Sequence, residues 1–277
     1  MAEDADSNQR LMAATELPPC LGPKLQAFKY RHAPIKFLNQ LDEQSDEGSG
    51  RQGYVFKVEI RNTIYALKIF KFFEPWAERL LLGEDENLVS DDILRFHTDP
   101  FFAECRAYGR IQEVQEKEKA KSSIAAKCYG FLTLTEKDES FLLERGLRLW
   151  DLPPTDEYRV RTEGSPVRAI VKEYVDKDPA IGVRVLRRML KALRFLHSQK
   201  IIHRDVKMDN FKNGLLLDLG SAWTEPHCVL DVKPKELVDL WREADLEVFD
   251  DIVKEKGLSS RIRALPNYRF RGKLRKK

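Results

Sequence analysis

The sequence predicts an α+β fold in two lobes. Three features lead to it. Runs with a period of two come early, at residues 54–60 and 62–72, and mark strands. A long amphipathic helix, 100–121, falls among the strands. Two further helical runs, 179–199 and 234–257, come last, so strands and helices are segregated rather than alternating.

The elements follow in order. Residues 1–34 lack periodicity and read as a flexible leader and entry segment. An N-terminal lobe is expected over 35–175. It opens with a short strand in "PIKFLNQLDEQSD", passes the glycine loop "GSGRQG" and continues as "YVFKVEI". Arg61-Asn62 makes a turn into "NTIYALKIFKF". Residues 72–100 form a polar insertion with short helical pieces. The helix at 100–121 places Phe101 or Phe102, Cys105, Tyr108 and Ile111 or Val114 on one face. "AAKCYGFLTLT" and "SFLLERG" are expected to pair as strands, and 146–166, rich in charge, Pro and Gly, reads as a second insertion. "RAIVKEYV" is an apolar strand. A shortened C-terminal lobe spans 176–260, with Val185, Met189, Leu193 and Leu196 along one helix face. Pro234 and Gly257 bound the last helix, and 261–277 is a basic tail.

Composition narrows the class. The chain has 277 residues, 42% hydrophobic and 34% charged, enough for a sizeable core. A net charge of +3 selects no partner. No apolar run approaches the ~18 residues of a membrane span. The acidic start "MAEDADSNQR" is no secretory signal, so an intracellular chain without membrane contact is expected. Cys20, Cys105, Cys128 and Cys228 form no C-x-x-C pair, so their spacing indicates neither a zinc site nor a disulfide framework.

The chemistry concentrates in "KIIHRDVKMDNFKNGLLLDLGSAW", Lys200–Trp223. Asp205 is placed to accept or orient a hydroxyl proton, and Lys207 to neutralise transferred phosphate. Asn210 and Asp218 offer hard oxygens to Mg2+. The Asn213-Gly214 pair favours a tight hairpin that folds Leu215–Leu217 beside Phe211 and brings Asp218 near Asn210. His203 and Arg204 are expected to hold the loop. Upstream, Gly48, Gly50, Gly53 and Val55 fit G-x-G-x-x-G-x-V, in which glycines let backbone N–H groups approach phosphates. Such a loop is also a plain hairpin turn. The strand that follows it excludes the Rossmann and P-loop readings. Lys68, between apolar strand residues, needs an anionic partner if it points inward, and Glu104 can supply one. Otherwise Lys68 snorkels at the surface.

This set, in this order, resembles the protein kinases over roughly residues 35–225. The resemblance implies a β lobe, a helical lobe and an ATP cleft between them. It assigns Lys68, Glu104, Asp205 and Lys207 to catalysis and Asn210 and Asp218 to Mg2+. Gly48, Gly50, Gly53, Val55 and Lys68 would hold ATP, with backbone groups from Glu173 to Val175 at adenine.

A narrower resemblance lies in "GPKLQAFKY", "YALKIFKF", "FFAECRAYGR", "AAKCYGF", "AIVKEYV" and "SAWTEPH". Together these are similar to a fungal family of kinetochore subunits with a kinase-like domain, the Fta2 type of the Sim4 centromere complex. That implies a nuclear, centromeric location and kinetochore protein partners.

Several positions depart from the kinase pattern. Leu219 replaces the Phe of D-F-G, and Gln52 replaces the aromatic at the loop tip. Lys172 stands where an apolar gatekeeper is usual. Only 57 residues follow Gly220, and no A-P-E occurs. Three readings result: an ATP-dependent phosphotransferase acting on Ser/Thr or another hydroxyl acceptor, a kinase-like kinetochore scaffold, or a small-molecule kinase. The tail "RIRALPNYRFRGKLRKK" reads as a nuclear address or DNA-contacting arm, or as a solubilising tail.

Overall fold

The computed structural model describes residues 24–42, 52–118, 123–176, 181–259 and 261–266. Gly48, Gly50 and most of the expected leader and basic tail lie outside the described residues. Five strands form one antiparallel sheet in the order β1-β2-β3-β5-β4. They are β1 (Lys36–Gln40), β2 (Gly53–Ile60), β3 (Thr63–Phe70), β4 (Cys128–Thr133) and β5 (Arg168–Glu173). Arg61 and Asn62 both take positive φ, 51° and 59°, and close the β2–β3 hairpin with Ile60 opposite Thr63. Two positive φ values in succession match the strand twist, which suits the Asn at the second position.

The described helices are α1 (Trp76–Arg79), α2 (Asp91–Thr98), α3 (Pro100–Glu118), α4 (Glu136–Glu144), α5 (Glu157–Arg161), α6 (Val183–Ser198), α7 (Cys228–Asp231) and α8 (Lys235–Glu255). The expected strand at "SFLLERG" is instead the end of α4. Thr135 decides this: its hydroxyl accepts from the Asp138 N–H while the Asp138 carboxylate accepts from the Thr135 N–H. That reciprocal cap starts a helix four residues before the apolar run. The helix then buries Leu142 and exposes Leu143.

The sheet divides the core. On one face Phe56, Val58, Ile60, Leu67, Ile69 and Val171 pack with Phe28, Leu132 and Leu142. The other face carries Lys68 and Ile170, paired across β3 and β5, and Lys172, paired with Ala66. Helix α3 lies on this face. Its Phe101, Cys105, Tyr108 and Ile111 form a cluster that continues into Leu186, Met189 and Leu193 of α6 and Phe249 and Val253 of α8. A third cluster joins the 72–100 segment to the C-terminal part through Leu82, Leu94, Trp223, Val229 and Val238. Among the described residues no helix is long and apolar enough to cross a membrane.

Helix α3 is tied along its length. Asp99, fully buried before its first turn, accepts from Phe101 N and from Arg168. Arg106 donates to the carbonyls of Thr224 and Pro226, and Arg110 to those of Gln199 and Glu225. Leu25 N donates to the Cys105 carbonyl.

Candidate functional site

A strand can hold a charged side chain inside only if that charge finds a partner. On β3, Lys68 is 3% exposed, and its Nζ donates to Glu104 Oε2 at 2.9 Å and to Asp218 Oδ1 at 2.7 Å. Glu104 comes from α3 and is fully buried. Its second oxygen, Oε1, accepts from Lys172 Nζ at 2.7 Å, and the same ammonium donates to the Leu217 carbonyl at 2.7 Å. Two ammoniums and two carboxylates thus close a neutral quartet. Burial alone would raise the Asp218 carboxyl, but Lys68, Lys172 and the Gly220 N–H outweigh it and hold the group well below the carboxylate range. Burial would likewise lower Lys68, but Asp218 and Glu104 outweigh it and keep the ammonium raised above its ordinary range.

Asp218 reaches this place by a short hairpin. Asn213 and Gly214 take φ of 52° and 70° and turn the chain between Phe211–Lys212 and Leu215–Leu216. Leu217 N then donates to the Asn210 carbonyl at 2.8 Å, which sets Asp218 beside the Asn210 segment. Asn210 uses both hydrogens of its amide on Asp205, bonding the carbonyl at 2.7 Å and Oδ2 at 2.9 Å. Lys207 Nζ lies 2.8 Å from the same Oδ2. The remaining oxygen of Asn210 and the second oxygen of Asp218, whose side chain is 32% exposed, are hard donors. Two such oxygens suit Mg2+ only when phosphates complete the shell. A carboxylate beside an ammonium, as at Asp205 and Lys207, can draw a proton from a hydroxyl and steady an anionic group near it.

The loop carrying these groups hangs on Asp245, a buried residue of α8. Its carboxylate accepts from the backbone N–H groups of His203 and Arg204 at 2.8 and 2.9 Å and contacts His197 Nε2 at 2.9 Å. His203 stacks on Phe211 and takes the Asp205 N–H on Nδ1 at 3.2 Å. Arg204, at φ 67°, lies 3.6 Å over the Trp223 ring, with Glu78 at 3.8 Å. His203 and Arg204 therefore hold the loop.

Of the expected phosphate loop, Gly53 and Val55 are described. A Cβ on Gly53 would stand 2.0 Å from the Ile69 carbonyl oxygen, so only glycine fits. Val55 pairs with Lys68 across the hairpin. Gln52 folds over the site: its Nε2 donates to Ser221 Oγ at 2.8 Å, and its Oε1 lies 2.0 Å from where a Cβ of Gly220 would be. Glu173 ends β5 with its N–H on the Lys127 carbonyl at 2.8 Å, and Val175 lies two residues beyond. Lys68, Glu104, Asp205, Lys207, Asn210 and Asp218 thus converge from four segments: β3, α3, the 205–210 loop and the residues after the 211–216 hairpin. The sequence reading missed Asp245 as a support, the reach of Lys172 to Glu104, and Gln52 as a cover.

No curated protein matches the chain. A family match runs from residue 13 to 223, which takes in every one of the converging side chains and stops before α7 and α8. It covers more than half of the sequence, and on it this chain belongs to the kinetochore Sim4 complex subunit FTA2 family.

Proposed function

We propose that this chain is a kinetochore scaffold subunit built on a bilobal protein-kinase-like fold, acting at the centromere in the nucleus among other kinetochore proteins. Family membership supports the kinetochore part. The convergence of Lys68, Glu104, Asp205, Asn210 and Asp218 supports the kinase-like part. The observation that carries the scaffold reading is Lys172. In phosphoryl transfer, Mg2+ and the phosphates bring opposite charges to the lysine and carboxylates that receive them. Here a second ammonium already balances Glu104 and Asp218, and Gln52 covers Gly220 where phosphates would approach. The site is electrically complete without a ligand.

A second reading is favoured by the intact Asp205–Asn210–Lys207 group and the accessible Asp218 oxygen: Mg-ATP binds and its γ-phosphate passes to a Ser/Thr or other hydroxyl. Asn210 and Asp218 would hold the Mg2+, which would neutralise phosphate charge, while Asp205 orients the acceptor hydroxyl. One experiment separates the readings. Purified chain is titrated with ATP with and without Mg2+ and assayed for phosphate transfer, while an Asp205→Asn strain is scored for centromere assembly. The scaffold reading expects no transfer and normal assembly in Asp205→Asn. Transfer by the wild-type chain, together with lost transfer and failed assembly in Asp205→Asn, would replace it with the enzyme reading.

A further inference from the structure

Apart from the quartet, two distant segments bring two imidazoles and a thiol together. His97 lies in the last turn of α2, His227 caps α7, and Cys228 is the first residue of α7. One ligand atom from each lies within 4.8 Å of the others. His227 is fully buried and Cys228 is 8% exposed. The Nδ1 of His97 is buried and has no hydrogen-bond partner among the described residues. An unsatisfied buried nitrogen is unfavourable, and a bound ligand would satisfy it. We propose that His97, His227 and Cys228 form a binding site for a zinc-like divalent ion that joins α2 to α7.

The donor set fixes the class of ion. Imidazole nitrogen and thiolate sulfur suit Zn2+ and Co2+, whereas Mg2+ and Ca2+ demand oxygens. Zinc bonds of ~2.0–2.1 Å to nitrogen and ~2.3 Å to sulfur place tetrahedral donors ~3.5 Å apart. The donors stand within 4.8 Å of one another, so binding would draw them somewhat closer together.

Outer partners are also in place. His227 Nε2 lies 3.2 Å from the His97 carbonyl, and Nδ1 accepts from Val229 N at 3.2 Å. A ring whose Nε2–H donates to a carbonyl presents an Nδ1 lone pair, the orientation that a backbone carbonyl commonly imposes on zinc-binding histidines. The ion would compete with the Val229 N–H for this lone pair, so binding requires that cap bond to open. Cys228 would bind as the thiolate, its proton passing to solvent as the metal–sulfur bond forms. Arg106 opposes an incoming dication. The Asp231 carboxylate, which accepts from His227 N at 3.1 Å and also acts on Cys228, offsets it. The fourth position is left to water.

The test uses the full chain, stripped with chelator and titrated with Co2+ in the absence of nucleotide and Mg2+. One equivalent is expected to bind, with a thiolate-to-cobalt charge-transfer band and the strong d–d absorption of a four-coordinate ion, both removed by Zn2+. Cys228→Ser should lose the charge-transfer band. His97→Gln, at a partly exposed position, should weaken Co2+ binding by more than about 100-fold, the upper end of what losing an outer partner costs. Absence of the band in the wild-type chain, its persistence in Cys228→Ser, or unchanged affinity in His97→Gln would overturn the proposal.

Discussion

Lys68 and Lys207 each hold a carboxylate at hydrogen-bond distance, yet the two pairs stand in different media. The Lys68 side chain is 4% exposed and its partner Glu104 is fully buried. The side chains of Lys207 and Asp205 are 54% and 40% exposed. Water screens the second pair and competes for both ends, so its contribution to stability is ~0–1 kcal/mol. In the first, no charge has water to fall back on, and each depends on the others. One side of the site is therefore a structural unit, while the other is a surface arrangement that can change without unfolding anything.

The largest break in this contrast comes from Glu104→Gln. It leaves Lys68 and Lys172 facing a neutral amide inside the fold, and removing one member of a buried ion set costs roughly 3–5 kcal/mol. Denaturant unfolding should show that loss, with Lys172→Met in the Glu104→Gln background recovering part of it. Next is Asp245→Ala, which strips the backbone N–H groups of His203 and Arg204 of their acceptor. Hydrogen bonds to a charged group are worth ~1.5–3 kcal/mol each, and a loss of about 3 kcal/mol is expected, with faster amide exchange at His203 and Arg204. The smallest effect belongs to Lys207→Ala. Its midpoint should lie within about 1 kcal/mol of the wild-type chain and grow less distinguishable with added salt.

The sequence made one side of this contrast readable and hid the other. Asp205, Lys207, Asn210 and Asp218 lie within fourteen residues, and an Asn-Gly turn is enough to fold them together. Lys68 carried its own signal, an ammonium among apolar strand residues. The strand pattern could assign Lys172 a face of β5 but not a partner, because Glu104 lies 68 residues away. Asp245 left a fainter trace. Val238, Asp245, Phe249, Asp250 and Val253 are the buried residues of α8, so two carboxylates stand among apolar positions and Asp245 is one of them. Nothing local names the loop it serves, 42 residues earlier. At 136–144 the apolar run outweighed the Thr135-to-Asp138 cap in the reading, although that cap marks the start of a helix. His97 and Cys228 have no sequence relationship at all. Only the packing of the 72–100 segment against α7 makes them neighbours.

The ties along α3 have a mechanical consequence. Its first turn is fixed by Asp99 to Arg168 on the sheet, and its middle by Arg106 and Arg110 to the 224–226 turn and the end of α6. It behaves as a beam clamped to the sheet at its start and to the 224–226 turn and the end of α6 along its middle. A rigid-body swing of this helix would have to break the Asp99 pair and four arginine bonds to backbone at once. Moving Glu104 outward would therefore cost all of these bonds together, and a load applied across the chain would pass through α3 as tension between its anchors rather than as rotation about a hinge.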